Sequence, residues 1–311
     1  MSYTKSLDSI LKEIIEPAAQ KTDQDSVFPR IAVAALGQSG LLGLMSSSDV
    51  GGLGLGLKEA AHVVEKIAKV CPSTAMVITM HYCGTVVIEK FGKESLRKDV
   101  AAGKHLTTLA WSDLGSRSHF WAPIGNAKSD GEFCLIDGHK SMVTSAGEAD
   151  SYIWSTTPMA ASGASTLWFV DKNEKGLSES KQFDGVGLKG NASSPITAEN
   201  LRLPQTAMLG ADGGGFDIMI GAVLPVFSTL IASCSLGIMD ASNERAIQHV
   251  GLSKLEHLQT ALNDLPTIRA YLARAQIRTD MTRTLRDDAL AALANNRPDA
   301  MLRVMEVKAA A

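Results

Sequence analysis

The chain has no large excess of charge of either sign and few aromatic residues. Its 311 residues carry 30 Lys and Arg against 33 Asp and Glu, a formal net charge of −3 at pH 7. A protein that binds phosphate backbones usually carries a basic patch or a basic overall charge. The composition therefore does not indicate a nucleic-acid partner. Apolar residues make up 45% of the chain, an ordinary share for a soluble globular protein of this size with a large core.

Cysteine is also scarce, and its spacing does not match a metal site or a redox motif. The four cysteines stand at 71, 83, 134 and 234, with no C-x-x-C pair among them. No secretory leader pattern precedes them, so we expect reduced thiols and a cytoplasmic protein. We predict no metal ligands.

One long stretch lacks charge altogether. Residues 218–239 contain no Asp, Glu, Lys or Arg, and a run of about 20 apolar residues is long enough to cross a bilayer. The stretch also contains Pro225, four Ser or Thr residues and two glycines, and it has no flanking Lys or Arg anchors. These features favour a helix buried inside a bundle over a membrane span, so we expect no membrane partner.

Apolar spacing changes twice along the chain. Residues 7–15 repeat apolar side chains at helical spacing. Beyond His105, short runs such as 152–156 lie between clusters of Gly, Asp, Asn and Ser, which is typical of strands and turns. Helical spacing returns from Phe216, and leucines 255, 258, 262 and 265 form a stripe that predicts a helix before Pro266.

These changes predict an α+β multidomain protein. We expect an N-terminal helical domain over residues 1–105, a middle β-barrel-like domain over 106–207 and a C-terminal helical bundle over 208–311. Residues 301–311 are strong helix formers without a polar or glycine cap. We therefore expect the C-terminal bundle to be incomplete in this chain.

Small hydroxyl residues cluster at two points between 109 and 145. Ser112, Ser116 and Ser118 surround Gly115, where the backbone can come close to a ligand and leave N–H groups free to donate. Such a loop could hold the edge of a flavin or a phosphate group. The alternative is a serine-rich turn that bonds only to its own backbone.

Two motifs carry a resemblance to a known family. Residues 112–119 are S-D-L-G-S-R-S-H and residues 138–145 are G-H-K-S-M-V-T-S. They resemble the T-E-P-x-A-G-S-D and G-x-K-x-W-I-T-N motifs of the acyl-CoA dehydrogenase family. Further segments similar to the family, including D-V-G-G-L-G-L-G and G-A-D-G-G-G-F, follow in the right order on both sides. The resemblance covers nearly the whole chain.

The resemblance implies a FAD-dependent enzyme that oxidises the CH–CH group of an acyl thioester such as an acyl-CoA. It also implies a homo-oligomer, either a dimer or a tetramer. The residues that it assigns to FAD are Leu109, Trp111, Ser112, Ser118, Met142 and Thr144. The family's last helices, which carry its commonest catalytic glutamate, would fall beyond Ala311.

The sequence departs from the family where a catalytic base is needed. A second family position for the glutamate matches Phe227, and residues 218–239 contain no carboxylate at all. Met142 replaces the family's tryptophan, and His119 replaces the last aspartate of the flavin loop. His119 is either a substitute base or a loop histidine bonded to backbone, and we expect Asp113 and Glu148 to be solvated or capping groups. The catalytic residues are thus unknown.

Three functions stay open at this stage: an acyl-CoA dehydrogenase, a flavin-dependent monooxygenase of the same fold, or a catalytically inactive family member.

Overall fold

The computed structural model describes residues 3–117 and 119–311, and its first segment is helical. Apolar residues such as Leu7, Ile15 and Val64 are buried in a common core. Pro72 begins the longest helix of this segment, at a position where its missing N–H costs nothing. The helices are α1 (Tyr3–Ile10), α2 (Glu16–Gln24), α3 (Arg30–Gln38), α4 (Leu57–Val70), α5 (Pro72–Phe91) and α6 (Glu94–Ala101), with a π-helical turn, Leu11–Ile15, between α1 and α2.

The middle segment is built from strands. They are β1 (Thr107–Ala110), β2 (Asn126–Asp130), β3 (Phe133–Val143), β4 (Ser151–Thr156), β5 (Thr166–Asp171), β6 (Leu177–Glu179) and β7 (Ser194–Pro204). One sheet has the order β1-β4-β5, with β1 parallel to β4, and the other has the antiparallel order β2-β3-β7-β6. The predicted fold class is confirmed, but the strands of the described residues form separate open sheets and not a closed barrel.

A bulge near the end of β3 determines which of its side chains face the core. The pairing of β3 with β7 shifts register between Lys140 and Val143. An extra residue in one strand bends it and changes where the following side chains are directed. Lys140 and Val143 are fully buried, whereas Met142 between them is 60% exposed.

The last segment is helical again. Its first helix runs without a break from Gly215 to Leu252, as α7 (Gly215–Ile218), a π-helical turn (Met219–Val223) and α8 (Leu224–Leu252). The helices α9 (Pro266–Ala294) and α10 (Ala300–Ala310) follow. Within the described residues, Gly215–Leu252 is the one helix long and apolar enough to span a membrane, and 61% of its most apolar window is buried inside the protein. Its burial agrees with the prediction of a bundle helix.

The leucine stripe before Pro266 is not helical, which corrects the sequence prediction. Between α8 and α9 the chain forms two short antiparallel strands, β8 (Lys254–Leu255) and β9 (Thr260–Ala261), and two short 3₁₀ turns. Leu258 is exposed. Proline disfavours helical backbone in the residue before it, and Leu265 is indeed extended, with φ −73° and ψ 122°. The long helix therefore begins at Pro266 itself.

Charged side chains join α9 to the helices beneath it. Arg283 donates to the carboxylates of Glu65 on α4 and Asp240 on α8, and Arg286 donates to Glu65 over 2.7 Å. Gly237 lets α8 approach α4 closely, since a Cβ there would lie 2.4 Å from the carbonyl oxygen of Glu65. These contacts hold α8, and with it the cavity described below, against the N-terminal helices.

Candidate active site

A small cavity lies where the three segments of the chain meet. Its volume is ≈ 150 Å³. Helix α5 contributes one lining residue, the strands and loops of the middle segment contribute five, and the start of the long C-terminal helix contributes three. The lining residues are Met80, Leu109, Trp111, Ser112, Phe120, Met142, Val223, Leu224 and Phe227. Eight of these nine side chains are apolar, so the cavity suits a hydrocarbon group, with the Ser112 hydroxyl at its wall.

Four of the six residues predicted to bind the cofactor come together at this cavity. Leu109, Trp111, Ser112 and Met142 line it. Thr144 is not among the lining residues, and its hydroxyl lies 3.4 Å from the hydroxyl of Ser193. The sixth predicted residue, Ser118, lies outside the described residues.

Ser112 is held in place through its backbone. Its carbonyl oxygen accepts hydrogen bonds from the amide of Ser141, at 2.7 Å, and from the Ser141 hydroxyl, at 3.0 Å. Both bonds tie the loop after β1 to the end of β3. The Ser112 side chain is left available to whatever occupies the cavity.

A buried ion pair fixes the same loop from its other side. Lys140 and Asp113 are 0% and 4% exposed, and the Lys140 ammonium lies 2.8 Å from Asp113 Oδ1. The ammonium also donates to the carbonyl and hydroxyl of Ser155 on β4, at 2.7 and 2.9 Å. The other oxygen of Asp113 accepts from the amides of Ile124 and Gly125 at 2.6 and 3.2 Å. Of the two roles expected for Asp113, solvated or capping, the structure shows the capping one, since the buried carboxylate accepts from backbone amides.

Burial lowers the pKa of the Lys140 ammonium to about 8, while the facing Asp113 carboxylate opposes that shift. At pH 7 the ammonium is therefore still charged, and the pair is ionic. Since Lys140 is two residues before Met142 and Asp113 directly follows Ser112, the pair positions two residues that line the cavity. It lies behind the site and does not line the cavity itself.

The open side of the site presents apolar surface that a flat cofactor can cover. Met142 lines the cavity and is 60% exposed, and Leu114 and Ile124, which do not line it, are 71% and 57% exposed. The indole N–H of Trp111 and the hydroxyl of Ser116 are buried and have no hydrogen-bond partner among the described residues. Uncovered apolar side chains beside a free hydroxyl and unpaired buried donors are features that fit an isoalloxazine ring.

The described lining of the cavity contains no carboxylate. Phe227, at the position that matched a family glutamate, is one of its lining residues. The hydroxyl of the adjacent Ser228 is fully buried without a partner. His119 bonds through Nδ1 to the carbonyl oxygen of Ser116 at 2.9 Å, which agrees with the interpretation of a loop histidine bonded to backbone. A group able to take a proton from carbon is thus missing from the described wall.

Several residues of the site were missed by the sequence analysis. Met80, Val223 and Leu224 line the cavity but carry no motif. The burial of Lys140 could have been inferred from its position in β3. It lies on the same face of the strand as Cys134, Ile136 and Gly138, and that face is buried. Val223 ends a π-helical turn, a feature that often occurs at functional sites.

Comparison with known proteins places two of the three segments in one family. Residues 3–103 match the family model described as "Acyl-CoA dehydrogenase, N-terminal domain", and residues 108–201 match "Acyl-CoA dehydrogenase, middle domain". The isobutyryl-CoA dehydrogenase of Dictyostelium discoideum is 27% identical over 86% of this chain and 67% of its own length. The human short-chain specific acyl-CoA dehydrogenase is 27% identical over 80% of this chain and 64% of its own length. The chain spans about two thirds of the length of these relatives.

Solved structures share the fold. The butyryl-CoA dehydrogenase of Megasphaera elsdenii superposes with a TM-score of 0.88 at 18% identity, covering 98% of this chain and 83% of its own. A glutaryl-coenzyme A dehydrogenase in complex with glutaryl-CoA superposes with a TM-score of 0.91 at 22% identity, covering 99% and 80%. At these identities the similarity establishes the fold alone.

Proposed function

Because the chain belongs to the acyl-CoA dehydrogenase family, we propose that it is a FAD-dependent oxidoreductase that acts on the CH–CH group of an acyl thioester. One observation carries the proposal: the residues that match the family's flavin motifs, Ser112 and Met142, line the same apolar cavity as Phe227 of α8. A flavin edge and an acyl chain need such a shared cavity, since the hydride must pass from one to the other.

We propose that FAD is held by Leu109, Trp111, Ser112, Met142 and Thr144, together with Ser118. When bound, FAD would supply the acceptor for the hydride that leaves Cβ. The Ser112 hydroxyl would hydrogen-bond the cofactor, and the bonds to its carbonyl oxygen would keep it oriented. The apolar lining would exclude water from the acyl group.

The substrate class is an acyl-CoA or a related acyl thioester. The whole cavity, ≈ 150 Å³, has room for a group of about the size of benzene, and a flavin edge would take part of it, which favours a short or compact acyl chain. We propose a homo-oligomer, a dimer or a tetramer, in the cytoplasm. We also propose that the boundaries between the three domains lie near residues 105 and 207.

A second function rests on the cavity's lack of a carboxylate. A flavin-dependent monooxygenase uses reduced flavin and oxygen and needs no glutamate to remove a Cα proton. Phe227 at the position of a base is compatible with monooxygenase chemistry. It is also compatible with a family member that binds its ligands but does not catalyse a reaction.

Anaerobic mixing of the FAD-loaded protein with butyryl-CoA separates these functions. The absorbance of oxidised flavin should fall slowly for a dehydrogenase without a positioned base, because general base catalysis typically contributes a factor of about 10² to 10⁴. Flavin that acyl-CoA does not reduce, but that after chemical reduction with dithionite is reoxidised by oxygen with hydroxylation of an added substrate, would support the monooxygenase. Failure to retain FAD at all would contradict both.

A further inference from the structure

A second and larger cavity lies away from the candidate active site, between the end of α5, helix α6 and the strands β5 and β7. Its volume is ≈ 420 Å³, within the range of small-molecule sites. Its apolar wall includes the rings of Phe91 and Phe169 and the side chains of Leu203 and Met208. No residue lines both cavities, so an occupant here would not touch the proposed flavin site.

The charged residues that line this second cavity are mostly acidic. Asp99 on α6, Asp171 at the end of β5 and Glu174 after it all line the cavity, against a single lysine, Lys93. Within the described residues none of these four side chains is in an ion pair. Asp171 uses Oδ1 to accept from the backbone and side-chain amides of Asn173, at 2.8 and 2.9 Å, which leaves Oδ2 free. The cavity thus offers unpaired carboxylate oxygens from both α6 and the end of β5.

A chain of hydrogen bonds fixes the proton of His105, which also lines the cavity. The Ser151 hydroxyl donates to Thr107 Oγ1 at 3.1 Å, so its oxygen accepts from His105 Nε2 at 2.8 Å. Burial lowers the pKa of His105, and the ring is therefore neutral at pH 7. A neutral ring with its proton on Nε2 has an acceptor lone pair at Nδ1, and this nitrogen has no partner among the described residues.

From this lining we propose that the second cavity binds a small organic cation, an ammonium or guanidinium group on an apolar body. The N–H donors would pair with carboxylates among Asp99, Asp171 and Glu174, and the apolar body would pack against the ring of Phe169 and the side chains of Leu203 and Met208. A metal ion is a poorer fit, since the described residues contain no group of three or more His, Cys, Asp or Glu placed to hold one.

Three probes with the same body and different charge test the charge preference. Isothermal titration of the full chain with phenylethylammonium, 2-phenylethanol and 3-phenylpropionate should show the cation binding at least roughly tenfold more tightly than the other two. Added salt should weaken the binding of the cation and leave the binding of the neutral probe unchanged. Amide chemical shifts of Gly92 and Leu209, which both line the cavity, should move with the cation. Equal affinity for the neutral probe, or no binding of the cation, would overturn the proposal.

Paired variants test the location. Asp99→Asn combined with Glu174→Gln removes two charges that make no ion pair in the folded protein, so folding should be unaffected. We expect roughly tenfold weaker binding of phenylethylammonium, since each exposed charge pair contributes up to about fivefold. Asp23→Asn, an exposed carboxylate on α2 that lines neither cavity, is the matched control and should bind normally. Unchanged affinity in the double variant would show that the cation binds elsewhere and sink the assignment.

Discussion

Replacing Lys140 with methionine should destabilise the protein strongly, because it leaves a buried carboxylate without its counter-charge. The ammonium makes three close contacts, to Asp113 Oδ1 at 2.8 Å and to two oxygens of Ser155 at 2.7 and 2.9 Å. Methionine fills similar space but supplies no donor. Breaking a buried ion pair by removing one partner typically costs about 3–5 kcal/mol. A loss of that size is a large part of the roughly 5–15 kcal/mol by which proteins are stable.

Urea unfolding followed by circular dichroism measures this loss. Lys172→Met is the matched control, because Lys172 pairs with Asp150 at a similar distance, 3.1 Å, but both side chains are about one third exposed. The Lys172–Asp150 pair should contribute at most about 1 kcal/mol to the free energy of unfolding. Combining Lys140→Met with Asp113→Asn removes both charges and should recover part of the stability that the single variant loses.

Equal destabilisation by Lys140→Met and Lys172→Met would refute the reasoning, since burial is the main difference between the two pairs. A double variant as unstable as Lys140→Met would also refute it, because the unpaired charge would then not be the cause. In either case the pair could no longer be said to position Ser112 and Met142.

Three further predictions concern the site and its surroundings. Ser112→Ala and Thr144→Val should each weaken FAD retention, measured by ultrafiltration, by roughly fivefold for about 1 kcal/mol per lost hydrogen bond; unchanged retention in both would contradict the site assignment. Phe227→Glu should speed the anaerobic reduction of bound flavin by butyryl-CoA, whereas rapid reduction in the unmodified protein would show that another residue acts as the base. Acid should destabilise the protein through His81, whose neutral ring accepts from the Thr107 amide at 3.2 Å and donates to the Leu42 carbonyl oxygen over 3.1 Å. Burial lowers the pKa of His81 from 6.5 to about 4, so the unfolded chain binds the proton first, and up to about 3 kcal/mol of stability should be lost as the pH falls from 6.5 to 4. His81→Gln should remove that part of the pH dependence of urea unfolding, and an unaltered slope in the variant would contradict the assignment.

Local patterns in the sequence were sufficient to predict the order of the helical and β-rich segments. Helical spacing and strand-and-turn composition predicted a helical, a β-rich and a second helical segment, and the fold class is confirmed. The stripe of leucines before Pro266 shows the limit of periodicity: its spacing suits a helix, but the proline, and turns that bond to their own backbone, direct the chain otherwise. Spacing alone does not weigh such competing local preferences.

Motif positions predicted six residues of the middle segment for the site, and four of them line one cavity. Only the tertiary structure decided their neighbours: Met80, Ser112 and Phe227 are far apart in sequence and meet because α5, the β-sheets and α8 pack together. The same holds for Asp113, which looks like an ordinary loop carboxylate until the folded chain brings Lys140 of β3 beside it. Periodicity and motifs record the backbone's local preferences, whereas burial and pairing depend on contacts between distant segments, which exist only once the chain has folded.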